Sequence, residues 1–295
     1  MTTTGVPVKF EQFIETAWNE HGDRPQEVAD RLAVVLPMIT EGEHVAPFAR
    51  IVTHVYGEHL GQCDRGVALL ESVRRLPTYT DSPAVGGVIT RSVATLRYVS
   101  GDIGSVNRLP VEERTAALAT AASALTGREE WKRALAAYAE AVQLAADLPE
   151  GSAAFRALAI GGNNLSAGLE ERKDRDTAET DGMVAAARGG LLFWRRSGTW
   201  LEEERALYRL ARSLLAAGQP VEAIQHAEQC VEVCAANSAT PFERFFASAV
   251  LARACRESDR AADYRKARNE ALDWFDQVPE DEREWCEADL AELAY

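Results

Sequence analysis

Lysine is scarce, standing only at Lys9, Lys132, Lys173 and Lys266, so arginine carries most of the basic charge. The 32 basic residues are outnumbered by 46 acidic ones, giving a formal net charge of −14. A chain of that charge repels polyanions at every distance its field reaches, and no basic face appears in the sequence to offset it. Nucleic acid is therefore not expected as a partner. The five cysteines (Cys63, Cys230, Cys234, Cys255, Cys286) are odd in number and scattered, with no CxxC pair and no zinc-finger spacing. They read as reduced, mostly buried thiols. No apolar run approaches the roughly 18 residues that a membrane span needs, so no membrane partner is expected. Met1 to Phe10 lacks the basic-then-apolar pattern of a secretory signal, which points to the cytoplasm. Signatures of catalysis are missing as well: no GxSxG, GxxxxGK[ST], HExxH or EF-hand loop occurs. The chain is expected to be no enzyme, with no cofactor and no metal.

What is present is helical patterning. Hydrophobic residues make up 46% of 295, enough for a packed interior, and abundant alanine beside arginine suggests a bacterial source of high genomic GC content. Apolar residues recur at i, i+3, i+4 and i+7 along nearly the whole chain, and strand-like alternation is absent. Breaks fall at Gly22–Pro25, Thr40–Gly42, Gly61–Gln62, Pro77–Pro83, Gly101–Pro110, Gly127–Arg128 and Pro149–Gly151. Further on they fall at Lys173–Gly182, Ser197–Gly198, Gly218–Pro220, Asn237–Pro241, Ser258 and Pro279. Glycine ends helices in the left-handed conformation, and proline fits the first helical turn, where its missing N–H would be unpaired anyway. The spacing predicts an all-α chain of about fourteen helices joined by links too short for anything but antiparallel neighbours.

Such alternation invites a search for repeats, and the clearest unit runs from Glu204 to Asn237. Leu207, Leu210, Ala211 and Leu214 mark its first helix, and after Gly218, Ala223, Ala227, Cys230 and Val233 mark its second. A second copy shows in Trp131, Ala134, Tyr138, Ala141 and Leu144, with fainter echoes at Gly61, Gly66, Leu70 and Val73, at Asn164–Ser166, and at Tyr264 with Ala267. This 34-residue pattern resembles the tetratricopeptide-repeat family, in which small residues sit where paired helices approach and larger ones fill the space to the next pair. The resemblance implies a right-handed superhelical stack of antiparallel helical hairpins, an α-solenoid spanning 1–295. Residues 1–40 would be N-terminal capping helices, 41–278 the hairpin repeats and 279–295 a C-terminal capping helix, with Trp285, Leu290 and Leu293 on its apolar side.

Family groove positions, carried over residue by residue, fall on Asn163, Arg205, Tyr208 and Arg212, which would line a concave surface. Tyrosine offers rigid contact area, arginine grips carboxylates with paired hydrogen bonds, and asparagine satisfies a peptide backbone. The resemblance thus implies a non-catalytic scaffold or adaptor holding a protein or peptide segment. A sensor that responds to a peptide or small ligand is the alternative. Arg205 and Arg212 could equally pair with Glu202, Glu203 or Glu204, which sit where carboxylates favour a helix start. Where some family members clamp a terminal carboxylate with a basic pair and asparagine, this chain has Tyr208 and Ala167, so that manner of recognition is not expected.

Three further features have structural and functional readings. His44, His54, His59 and Cys63, with Glu58 among them, gather ligand chemistry; His54 and Glu58, four apart, can share a helix face, but a turn intervenes between His59 and Cys63, so a convergent set of three ligands is not implied. Trp194, Arg195, Arg196 and Trp200 form an aromatic and basic corner read as packing, with arginines stacked on tryptophan. The glycine pairs at 86–87, 161–162 and 189–190 lack the strand that a phosphate loop needs, and read as close helix approaches.

Overall fold

The computed structural model describes residues 9–294, and among them fourteen α-helices and several short π and 3-10 turns account for all regular structure, with no strand. The all-helical expectation holds, and within each unit most helices adjacent in sequence pack on one another. Residues 1–8, on which the reading of the N-terminus largely rests, lie outside those described. The chain divides between Leu148 and Pro149 into two compact units.

The first unit holds α1 (Phe10–Glu20), α2 (Pro25–Val35), α3 (Val45–His54), α4 (Cys63–Val73), α5 (Val88–Ser100), α6 (Val111–Gly127) and α7 (Trp131–Leu144). Pro25 opens α2, and left-handed Gly101 closes α5, as expected from the breaks in the pattern. Leu32, Phe48, Ile51, Leu70, Ile89, Leu96, Leu118 and Leu125 are fully buried. Alanines bury most of the surface of α6, which packs against both α5 and α7; a helix apolar on all sides belongs inside. A π turn, Val55–His59, continues α3. Gly57 allows its close approach to α5, since a Cβ there would lie 3.0 Å from Leu96.

The second unit runs through α8 (Ala154–Glu171), α9 (Thr177–Ser197), α10 (Trp200–Ala216), α11 (Pro220–Ala236), α12 (Pro241–Glu257), α13 (Ala261–Phe275) and α14 (Glu287–Glu292). The break expected over 173–182 is shorter, because Asp176 and Glu179 form a reciprocal capping box that starts α9 at Thr177 and leaves Gly182 inside the helix. A second such box, Thr199 with Glu202, starts α10. In the α10–α11 pair Ala211 and Ala223 are fully buried, as are Leu207 and Leu214.

Among the glycine pairs, Gly190 of α9 faces Asn163 of α8 so closely that a Cβ would stand 2.4 Å from Oδ1 and 3.2 Å from the backbone nitrogen. Gly190→Ala is therefore expected to push the Asn163 amide aside and lower stability by about 1 kcal/mol, readable as a shifted urea midpoint.

The C-terminal segment differs from a single amphipathic helix. A 3-10 stretch, Glu280–Cys286, leads into short α14. Cys286 and Leu293 enter a core with Phe245, Ala249, Ala271 and Val278, and Leu290 packs beside it. Trp285 is 69% exposed and so does not belong to the apolar side.

Candidate functional site

The four residues expected to line a groove fall into three environments. Asn163 sits on the α8–α9 seam against Gly190, its Oδ1 buried and without a hydrogen bond. Arg205 donates to Glu243 of α12 at 2.7 Å, and its own side chain stays 58% exposed. Tyr208 and Arg212, one turn apart on α10, both reach the C-terminal segment: the Tyr208 hydroxyl donates to Asp289 Oδ1 at 2.7 Å, and Arg212 reaches the same oxygen at 3.1 Å. Neither arginine makes the local pairing with Glu202, Glu203 or Glu204 that helical spacing allows. Those three carboxylates are used differently: Glu202 caps, Glu203 pairs with Arg195, and Glu204 is buried.

More of the second unit grips the same segment. Arg253 of α12 pairs with Glu292 at 3.0 Å, and Arg256 donates to the Glu292 carbonyl at 2.6 Å. From α13, Tyr264 and Arg268 donate to the Leu293 carbonyl at 3.3 and 2.8 Å. Behind Arg212, Glu170 of α8 accepts from Arg209 at 2.7 Å and Ser213 at 2.6 Å. Burial pushes the Asp289 carboxyl up, against the pull of Arg212, and burial with the adjacent Asp289 charge pushes the Tyr208 phenol up. The result is a face of arginine and tyrosine that holds a short acidic helix by its carboxylates and its final carbonyls. Asp289, Arg253 and Arg268 were not among the sequence candidates, for their partners lie 25 to 81 positions away along the chain and no local spacing links them.

In the first unit the histidines regroup. His44 stacks on Phe10 at 4.3 Å and lies 3.3 Å from Glu11, and Cys63 is buried at the start of α4; neither joins His54 and His59. His21, just past the end of α1, does join them, with one ring nitrogen of each histidine within 4.8 Å of the others. Trp18 packs against His21 and His54 at 5.1 and 5.2 Å between ring centres. Desolvation and the neighbouring His54 hold His59 below the ordinary histidine range.

The aromatic corner resolves into packing with different arginines from those expected. Trp194 is buried under Arg156, 5.1 Å from the ring centre, while Arg196 lies over Phe155 at 3.8 Å and pairs with Glu150. A recess of about 270 Å³ between α11, α12 and α13, lined in part by Val231, Arg244 and Trp274, falls just short of the roughly 300 Å³ at which ligand pockets begin. All five cysteines are free and buried, and no helix among the described residues is long and apolar enough to cross a membrane. No protein-family model matches the chain, and no curated protein matches it either.

Proposed function

We propose that the chain is a right-handed superhelical stack of hairpins of the tetratricopeptide kind and that it works without catalysis, holding an acidic segment of another protein on the face of Arg205, Tyr208 and Arg212. The observation that carries this reading is the docking of its own C-terminal segment on Tyr208 and Arg212, with Arg253, Arg256 and Arg268, through Asp289 and Glu292 and the carbonyls of Glu292 and Leu293, while Arg205 lies outside that contact and pairs with Glu243. A surface that satisfies both the charges and the backbone end of one acidic helix has the chemistry to receive another. Asn163, on its buried seam, is left out of the contact set. Five free buried thiols fit a reducing, cytoplasmic setting.

The same docking favours the second reading, a peptide-responsive regulator, because an incoming segment must displace a tethered one whose effective concentration is in the millimolar range. A labelled peptide of the sequence 280–294 is expected to bind the native chain weakly. It is expected to bind Leu293→Asp, which loosens the tethered copy, at least tenfold more tightly by fluorescence anisotropy. Failure of that variant to bind the peptide while its circular dichroism stays native would refute the reading.

A further inference from the structure

The first unit carries a cluster that peptide holding leaves unused, the imidazoles of His21, His54 and His59. Hydrogen bonds decide which ring nitrogens are available. Nδ1 of His21 faces the Trp18 carbonyl at 2.5 Å, a partner that only an N–H satisfies, so Nε2 keeps its lone pair. Nδ1 of His54 faces the Glu58 carboxylate at 3.0 Å, which again leaves Nε2 as the open nitrogen. The Nε2 atoms of His54 and His59 are 3.1 Å apart. That matches the roughly 3.3 Å between ligand atoms around a tetrahedral ion with bonds of about 2.05 Å.

Local backbone geometry makes the convergence. Two residues five apart on an α-helix point about 140° away from each other. Here the Leu60 N–H donates to the Val55 carbonyl at 3.0 Å, closing an i→i+5 turn that returns His59 to the side of His54. The Glu58 side chain lies over Gly127, where a Cβ would stand 2.4 Å from its Cγ, so the glycine leaves room for the carboxylate behind His54. A carboxylate on the far nitrogen is the arrangement that orients a metal-binding imidazole and raises its basicity.

We propose that His21, His54 and His59 bind one divalent transition-metal ion of the zinc class through a ring nitrogen each, with the fourth position left to water or a ligand from solution. Imidazole selects such ions over magnesium and calcium, which prefer oxygen. His59 is the most exposed of the three, which keeps the fourth position open to solvent.

The test is calorimetric titration of Zn2+ into the full chain, free of any histidine tag. One ion per chain is expected. His21→Ala, His54→Ala and His59→Ala should each weaken binding at least a hundredfold, and Glu58→Gln roughly tenfold. His44→Ala, outside the cluster, should leave binding unchanged. Co2+ in place of Zn2+ should give the visible absorption of a four- or five-coordinate ion, lost in His59→Ala, whose exposed position makes it the variant safest for the fold. Absence of binding, or binding that survives in folded His59→Ala, overturns the proposal.

Discussion

Replacing Arg212 by alanine is expected to lower the stability of the second unit by about 3 kcal/mol at pH 7, measured by urea unfolding. The guanidinium reaches Asp289 at 3.1 Å, Glu170 at 3.5 Å and the Tyr208 hydroxyl at 2.9 Å, and both carboxylate side chains are 9% exposed. Removing the cation leaves two buried negative charges, of which Glu170 still has Arg209 and Ser213 while Asp289 keeps only the tyrosine hydroxyl among the bonds described. The loss comes from that stranded charge more than from the missing contact, and Arg212 is itself a quarter exposed, which holds the effect near the lower end for a buried pair. Asp289→Asn added to Arg212→Ala should therefore recover part of it, giving a coupling of 1 kcal/mol or more in a double-mutant cycle. A loss below 1 kcal/mol, or strict additivity of the two changes, would show that the Arg212–Asp289 pair does not hold the C-terminal segment.

The sequence made the helices legible because each carries its own instructions. Pro25, Pro220 and Pro241 open helices, Gly101 and Gly218 take positive φ at helix ends, and apolar positions recur at the helical period. Where a start depended on reciprocal side-chain bonding, as at Asp176 and Glu179, the boundary moved by several residues, because capping there outweighs the breaking tendency of Gly182. Site chemistry was less legible for two physical reasons. Tyr208 and Arg212 were found by position on α10, yet the groups they meet lie 81 and 77 residues away, and nothing in a local pattern announces such a pairing. The histidine group differs from the one expected because His21 comes from a different helix end, which no local spacing reveals, while a π turn at Val55–His59 brings His59 to the side of His54. Gly57 and Gly127, which make room for that turn, read in sequence as ordinary glycines.

Glu204→Gln is expected to stabilise the chain by about 2–3 kcal/mol at pH 8 and to change it little at pH 4.5. Glu204 lies on the α10–α11 seam at 1% exposure, where the Cys230 thiol donates to Oε1 at 3.1 Å. Burial, offset in part by that thiol and aided by the Glu243 charge, pushes its carboxyl from 4.5 up to about 7. Above pH 4.5 the unfolded chain begins to release this proton while the folded chain still holds it. The native state then binds more protons, so this group's contribution to unfolding free energy falls as pH rises to about 7 and stays low beyond. Glutamine has nearly the shape of the protonated acid and no charge to bury, so it removes the penalty only where the carboxylate would have formed. Glu202 and Glu243 are held below the usual carboxylate range and titrate with the opposite sign; comparing wild type and variant at each pH largely cancels them. Equal effects of Glu204→Gln at pH 4.5 and pH 8 would mean that the carboxyl titrates normally and that the seam admits water.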